Sequence, residues 1–268
     1  MTDLVARSTA QQLGNRLTIS DMPVELQELA TAFNDMLDRI GESLTRLSEF
    51  SSDLAHELRT PINNLMTQTQ VSLSKPRNTE EYKETLYANL EEYERLARMI
   101  ADMLFLAKAD HGLIIPKRET VDIGKEIHAL CDFYEVLADE KSIRLDVKGQ
   151  AECSGDALML RRAFGNLLSN AIQHADSHSR ITIIIERCPG TIKISITNQG
   201  NTIPPEHLPR LFDRFYRADE ARTRIDDGVG LGLAITQSII NAHGGVLTAT
   251  SERATTRFLV EIPVKITP

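Results

Sequence analysis

The stretch 51–61 contains a histidine placed as a nucleophile would need to be. On a helix, Leu54 and Leu58 share one side, and His56, two residues from each, lies about 200° around the axis. The imidazole of His56 is therefore predicted to face solvent, where it can reach a second domain. Glu57 is suited to hold the tautomer of the ring or to take its proton. Taken alone, however, an exposed histidine is more often an ordinary surface residue.

A pair of asparagines in the stretch 156–171 could serve a nucleotide. Asn166 and Asn170 are four residues apart and so share one helix face. Mg²⁺ prefers oxygen ligands and keeps several waters, so an amide oxygen beside nucleotide phosphates suits it. The alternative, which an isolated pair would favour, is two polar residues on an amphipathic helix.

Three glycines near the C-terminal end form a possible phosphate loop. Gly228, Gly230 and Gly232, followed by Leu233, open an apolar helix. Glycine lets backbone N–H groups approach phosphate oxygens closely, and the N-terminus of a helix adds positive potential. The polar segment 201–227 before them is predicted to be a flexible lid. A GxGxG pattern alone would be weak evidence.

Two further groups lie between these sites. Asn198 and Gly200 come directly after a strand predicted over 191–197. The amide oxygen of Asn198 can accept a hydrogen bond from a ligand, although an ordinary turn containing Asn and Gly would also explain the pair. Phe212 and Phe215 are three residues apart and are predicted to pack beneath the lid.

The elements that position His56 are predicted to be two long helices. Pro23 suits the start of the first, and apolar residues then recur every three or four positions as far as Leu65. A second helix is predicted after Asn78, which caps it together with Glu81. An antiparallel hairpin of this kind cannot bury a full core alone. Dimerisation into a four-helix bundle is therefore predicted.

After Gly112 the pattern changes to a two-layer α/β domain with a mostly antiparallel or mixed sheet. Strands are predicted at 143–147, 181–186, 191–197, 246–250 and 258–264. Helices are predicted at 123–139, at 156–174, and from about 230 to a stop before 244.

The composition argues against several classes of protein. The chain has 268 residues, a formal net charge of −8, 41% hydrophobic and 25% charged residues. Such an acidic chain is a poor partner for nucleic acid. The three cysteines have no disulfide or zinc spacing, the histidines form no evident ligand cluster, and no stretch is apolar enough to span a membrane. A reducing compartment is predicted.

The string HELRTP at 56–61 closely resembles the phosphoacceptor box of the sensor histidine kinases. The resemblance implies that His56 is phosphorylated and that Glu57 assists proton transfer. It also implies that Thr60 aligns water for dephosphorylation. A surface role for His56 is much less consistent with so long a match.

The string 166–171 resembles the N box of the GHKL-type ATPases. This implies Asn170 as a Mg²⁺ ligand and Asn166 as a support near the phosphates of ATP. His174 stands where relatives often have a residue that contacts the nucleotide. Asn198 stands where relatives usually have an aspartate that accepts a hydrogen bond from adenine, so the charge is lost.

The remaining boxes follow in family order. Gly200 belongs to the adenine box, in which Thr202 replaces a second glycine. The stretch 211–217 resembles the F box and implies that Arg217 reaches a phosphate, whereas Arg214 is expected to be solvated or ion-paired. The second glycine box comprises Gly228, Gly230, Gly232 and Leu233.

The resemblance implies three domains: a partial HAMP signal-relay segment at 1–40, a dimerisation and histidine phosphotransfer hairpin at 41–112, and a catalytic ATP-binding domain at 113–268. The stretches 64–70, 89–93 and 102–107 look most like the heavy-metal sensor kinases that respond to copper or silver. The chain is then expected to be the cytoplasmic portion of a bacterial inner-membrane protein, attached to the membrane through a missing N-terminal part.

The predicted function is autophosphorylation of His56 by ATP and Mg²⁺ in a homodimer, followed by transfer to an aspartate of a response-regulator receiver domain. Phosphatase activity is also expected. Because Asn198 departs from the family, a phosphatase-dominant protein or weak kinase stays open, as does a non-enzymatic docking module with a degenerate ATP site. Another GHKL ATPase, such as a chaperone or mismatch-repair protein, would have no use for HELRTP.

Overall fold

The computed structural model describes residues 23–218 and 230–264. It divides the chain into two compact units between Glu92 and Tyr93. Most of the predicted HAMP segment, residues 1–22, lies outside the described residues, and the remainder is helical from Val24 onward. No helix in the described part of the chain is long and apolar enough to cross a membrane.

Two long helices open the described chain, as predicted. Helix α1 spans Val24–Leu73 and continues through Pro61, and helix α2 spans Thr79–Asp110. Asn78 caps α2: its Oδ1 accepts from the backbone N–H of Glu81 at 2.8 Å, and its own N–H donates to Glu81 Oε2 at 3.0 Å. This reciprocal capping box was predicted from the sequence and is confirmed.

Polar contacts join the two helices near their turn. Ser72 Oγ donates to Thr85 Oγ1 at 3.1 Å, and Asn89 Nδ2 donates to Thr69 Oγ1 at 3.4 Å. Much of the predicted apolar stripe remains exposed on the single chain, including Leu26, Leu29, Phe33, Ile40, Leu44 and Ile62. An exposed stripe of this kind is typical of a surface covered by another copy or partner. The predicted dimer stays a prediction.

The second unit contains the α/β fold. Its helices are α3 (Ile123–Glu140), α4 (Ala157–His174) and α5 (Gly232–Ala242). Its strands are β1 (Glu119–Asp122), β2 (Arg144–Lys148), β3 (Glu152–Gly155), β4 (Arg180–Cys188), β5 (Thr191–Gln199), β6 (Val246–Glu252) and β7 (Thr255–Pro263). A short 3₁₀ helix covers Leu208–Arg210.

Five strands form a mixed sheet in the order β2-β4-β5-β7-β6, in which only the β2–β4 pair is parallel. Helix α4 packs against α3 and α5, and all three helices pack on this sheet. The core between the layers includes Ile127, Phe164, Leu168, Ile183 and Ile196, each at most 2% exposed. The two-layer architecture and the five long strands were predicted and are confirmed.

Strands β1 and β3 were not predicted. They pair with each other as a separate two-stranded sheet, antiparallel, with Val121 opposite Cys153. Each has only four residues, which is too short for a clear alternation of apolar and polar side chains. Their sequences, ETVD and ECSG, also contain few of the residues that favour strands.

Candidate functional site

His56 lies on α1 and is exposed, while Leu54 and Leu58 are half-buried. The predicted orientation of the imidazole is therefore confirmed. Glu57, the next residue, is half-buried, and Thr60, one turn further along, is exposed. The helix thus presents a histidine and a threonine hydroxyl to an incoming domain or to water. Their chemical roles stay predictions.

The N-terminus of α4 is fixed by a buried network. Asp156 caps the helix: its Oδ1 accepts from Met159 N at 3.1 Å. The backbone N–H of Asp156 in turn donates to Nε2 of His243 at 3.0 Å, and Nδ1 of His243 lies 2.8 Å from the carbonyl oxygen of Ile239. Since Nε2 accepts, the ring is neutral with its hydrogen on Nδ1. His243 therefore joins the start of α4 to the end of α5.

We expect replacement of His243 by leucine to lower the free energy of unfolding by about 2–4 kcal/mol, because it leaves the buried Asp156 N–H without an acceptor. Burial lowers the pKa of His243 from its ordinary value of 6.5. A depressed pKa means that the unfolded chain binds more protons, so wild-type stability falls as the pH drops below about 6.5.

Urea unfolding of the wild type and of His243→Leu at pH 7.5 and 5.5 measures both effects. The stability difference between the two proteins should shrink on acidification, because the wild type alone loses the contribution of the neutral ring. Replacement of His128, which is exposed on α3, by leucine is the control and should leave stability within about 0.5 kcal/mol. A difference in the free energy of unfolding between the wild type and His243→Leu that does not change with pH would contradict the assignment of a neutral, buried His243.

Asn166 joins α4 to the N-terminus of α5. Its Nδ2 donates to the carbonyl oxygen of Gly232 at 3.0 Å and lies 3.4 Å from Thr236 Oγ1. Thr236 Oγ1 itself donates to the carbonyl of Gly232 at 2.8 Å. The half-buried Asn170 lies one turn further along α4. The N box and the start of the glycine-box helix are therefore adjacent, with Leu233 in the first turn of α5.

The end of β5 lies against the end of α4. Asn198 is only 3% exposed. A Cβ on Gly200 would be 2.1 Å from the carbonyl oxygen of His174, so only glycine fits there. Thr202, which replaces the second motif glycine, accepts a hydrogen bond from the N–H of Ala254 at 2.9 Å through its hydroxyl. This departure from the family pattern anchors the loop, a role that sequence alone did not suggest.

The F box supports the glycine loop. Phe215 has a φ of 59° and donates its N–H to the carbonyl of Gly230 at 3.0 Å. Gly230 has a φ of +76°, and a Cβ on it would be 2.9 Å from the backbone of Phe215. Phe212 and Phe215 are half-buried, whereas Arg217 is exposed. Gly228 and the predicted lid from 219 onward lie outside the described residues.

The structure thus brings several predicted nucleotide residues together in the second unit. Asn166, Gly232 and, through Phe215, Gly230 form one connected group. Gly200 and His174 form another at the far end of α4. A cavity of about 780 Å³ opens where β5 ends. Asn198 is part of its wall, but none of the described N-box or glycine-box residues is, so this cavity borders the predicted base site without containing the phosphate residues.

The described residues do not form a site that could hold a metal through protein ligands alone. In 23–218 and 230–264 no group of three or more His, Cys, Asp or Glu side chains is suitably placed. Mg²⁺ bound with a nucleotide, however, needs only one or two protein ligands besides phosphates and waters. The half-buried amide of Asn170 fits that requirement.

Two regions of the chain match known protein families. Residues 46–112 match the His Kinase A (phospho-acceptor) domain. Residues 155–266 match the histidine kinase-, DNA gyrase B- and HSP90-like ATPase. The first region contains His56, and the second contains α4, α5 and the long strands from β4 onward.

Similar proteins have been described in bacteria. The sensor histidine kinase CusS of Escherichia coli (strain K12) is 44% identical over 256 residues, which cover 95% of this chain and 53% of that protein. The probable sensor protein PcoS of Escherichia coli is 48% identical over 249 residues, covering 93% and 53%. The chain therefore spans about half the length of the curated relatives it matches.

A solved structure supports the fold. The histidine kinase ThkA, in complex with the response regulator protein TrrA, matches with a TM-score of 0.66 and 21% identity. The match covers 83% of this chain and 63% of that one. At this level of identity the match supports the fold alone, namely a helical part followed by an α/β sandwich.

Proposed function

Because the chain belongs to the sensor histidine kinases, we propose that it transfers the γ-phosphoryl group of ATP to His56 and then to an aspartate of a response-regulator receiver domain. The observation that carries the proposal is an exposed imidazole on α1 within a phosphoacceptor domain, in the same chain as an ATPase fold.

The chemical step is a displacement at phosphorus. A ring nitrogen of the neutral His56 forms a bond to the γ-phosphorus, the bond to the β,γ-bridging oxygen breaks, and ADP leaves with the electron pair. The proton on the other ring nitrogen passes to Glu57 or to water. The exposure of His56 supports this role, since in-line attack needs an unobstructed approach.

The nucleotide would be bound by the elements around α4. Backbone N–H groups at Gly230 and Gly232 suit the phosphates because glycine allows close approach and α5 begins there. When bound, Mg²⁺ would neutralise charge on the phosphate oxygens, and Asn170 is the residue that would hold it. Arg217 would contact a phosphate, and Asn198 would accept a hydrogen bond from the adenine amino group.

The partners follow from the same assignment. A receiver domain is the proposed recipient, since the structurally similar kinase ThkA forms a complex with the response regulator protein TrrA. A second copy of this chain would cover the exposed apolar stripe of α1.

We place the chain on the cytoplasmic side of a bacterial inner membrane and in the heavy-metal branch of the family. The stimulus would then be sensed elsewhere in a longer protein.

Incubation with γ-³²P-ATP and Mg²⁺ tests the proposal. Acid-labile, base-stable label on the chain, which passes to an added receiver domain, is the expected result.

A phosphatase-dominant protein is the second candidate, because Asn198 lacks the charge of the usual aspartate and Thr60 is exposed to water. Absence of label together with release of phosphate from a phosphorylated receiver domain would favour that candidate.

We expect Asn198→Asp to tighten ATP binding by about fivefold, since a charged acceptor contributes roughly 1 kcal/mol more than a neutral one. Titration calorimetry with ATP measures the effect. GTP is the control ligand, because guanine has an oxygen in place of the 6-amino group of adenine and an oxygen cannot donate to a carboxylate, so GTP binding should improve less than ATP binding. Equal gains for ATP and GTP, or no gain for ATP, would contradict the placement of adenine at Asn198.

A further inference from the structure

The side chain of Tyr216 is held on two sides. Its hydroxyl shares a hydrogen bond with Nδ1 of His207, and the centroids of the two rings are 6.1 Å apart. The guanidinium carbon of Arg210 lies 4.4 Å from the centroid of the tyrosine ring, which is a cation–π contact. His207 and Tyr216 are half-buried, whereas Arg210 is exposed. We call these three residues the tyrosine clamp, and the reaction proposed above does not use it.

Backbone hydrogen bonds bring Tyr216 back towards His207. The N–H of Arg210 donates to the carbonyl oxygen of His207 at 3.0 Å, and the N–H of Asp213 donates to that of Arg210 at 2.9 Å. The N–H of Tyr216 then donates to the carbonyl oxygen of Asp213 at 3.4 Å. Successive turns therefore bring together two side chains that are nine residues apart.

The segment that carries His207 is attached to the sheet. The N–H of Ile203 donates to Ser251 Oγ of β6 at 2.9 Å, and this hydroxyl lies 2.9 Å from Thr256 Oγ1 of β7. Both hydroxyl residues are buried. The 3₁₀ helix Leu208–Arg210 also packs against β6. The position of His207 is therefore set by the edge of the sheet.

The neighbours of Tyr216 in the chain are groups that the proposed reaction needs. The N–H of Phe215 donates to the carbonyl oxygen of Gly230 at 3.0 Å, and Arg217 is the proposed contact to a phosphate. A displacement of Tyr216 would move both neighbours, because consecutive Cα atoms are only about 3.8 Å apart. Tyr216 therefore links the sheet, through His207, to the glycine loop.

We propose that Tyr216 is a positioning residue, held by His207 and Arg210, which places Arg217 and Gly230 for the phosphates of ATP. This role rests on the proposed function. The physical advantage is preorganisation, since a segment that is already fixed loses less conformational entropy when the phosphates bind. The hydrogen bond between two half-buried side chains supplies direction, and the exposed cation–π contact adds to it.

The proposal predicts a loss that is confined to phosphate binding. Asn198, the proposed adenine contact, is held by the pairing of β5 with β7 and not by the F box. We expect Tyr216→Phe, which keeps the ring and its contact with Arg210, to weaken ATP binding roughly threefold to fivefold, within the usual effect of one hydrogen bond. Adenosine, which has no phosphates, should bind as it does to the wild type. The KM for ATP in autophosphorylation should rise by the same factor as the Kd.

Titration of each variant with ATP and with adenosine makes this comparison. Tyr134→Phe is the matched control, since Tyr134 is also a half-buried tyrosine of the ATPase fold, on α3, and should retain the wild-type ATP affinity. Equal losses for ATP and adenosine in Tyr216→Phe would show a general effect on the fold and would overturn the positioning role. An unchanged ATP affinity would overturn it as well.

Substitution of the partner tests whether the hydrogen bond is responsible. His207→Leu should weaken ATP binding as much as Tyr216→Phe does, and the double variant should be no weaker than either single variant, because both changes break one interaction. His207→Asn should restore most of the affinity, since its amide offers a donor and an acceptor at about the distance of Nδ1 from the backbone. Additive losses, or an asparagine variant as weak as the leucine variant, would contradict the clamp.

Amide hydrogen exchange without nucleotide separates the clamp from the kinase function. Exchange of the Phe215 N–H, which donates to Gly230, should be faster in His207→Leu and Tyr216→Phe but not in Tyr134→Phe. If this exchange responds while the wild type takes up no label from γ-³²P-ATP, the clamp stands and the proposed kinase function fails. If the exchange does not respond, the clamp is wrong even where the chain is a kinase.

Discussion

Replacement of His56 by glutamine should abolish phosphate incorporation while leaving nucleotide binding intact. Glutamine retains a polar side chain but has no nitrogen lone pair that can attack phosphorus, so we expect the rate to fall at least about a thousandfold, as when other enzymes lose their nucleophile. His56 is exposed on α1, and its replacement should therefore change the free energy of unfolding by less than about 0.5 kcal/mol.

The measurement is acid-labile label from γ-³²P-ATP, with ATP affinity determined in parallel by calorimetry. His128→Gln is the matched control, because His128 is likewise an exposed histidine on a helix and should retain full incorporation. Label that persists in His56→Gln would show that another residue is the acceptor. Loss of ATP binding in the same variant would show that the substitution acts through the fold.

Local chemistry explains which features could be predicted from the sequence. The capping box of Asn78 and Glu81 needs only residues three apart, and the apolar stripe of α1 needs only a helical period, so both could be predicted without the fold. The exposed orientation of His56 follows from the same period. The strands β4, β5 and β7 have nine residues each, long enough for alternation to be recognised.

Contacts between distant residues could not be predicted in this way. The need for glycine at 200 arises from the carbonyl of His174, and the role of Thr202 from the N–H of Ala254. The hydrogen bond between Asn166 and Gly232 spans 66 residues. Arg214 was expected to be solvated or ion-paired, and it is paired, but its partner Asp110 could not be identified from periodicity. Each of these depends on how the layers meet.

Replacement of Asn170 by alanine is the second substitution for which we expect a large loss of autophosphorylation. The loss should come from weaker binding of Mg²⁺ and not from a change in the fold. Alanine suits a helix and removes one amide oxygen from a half-buried position on α4. We expect autophosphorylation to fall about a hundredfold or more, the usual consequence of losing a group that stabilises charge in the transition state. Asn241→Ala is the control, since Asn241 is an exposed asparagine on α5.

The dependence of ATP binding on Mg²⁺ separates this role from a structural one. Wild-type affinity should fall when EDTA replaces Mg²⁺, whereas Asn170→Ala should bind ATP weakly and almost equally in both buffers, because the ligand that couples metal to protein is gone. Mixing the Asn170→Ala protein with the His56→Gln protein then tests whether the phosphoryl group is transferred between subunits. Within mixed dimers, label on the Asn170→Ala chain requires transfer between subunits, since that chain supplies the imidazole and its partner supplies the nucleotide. A variant that retains the full response to Mg²⁺ would remove Asn170 from the metal site and leave Asn166 as the amide to test next.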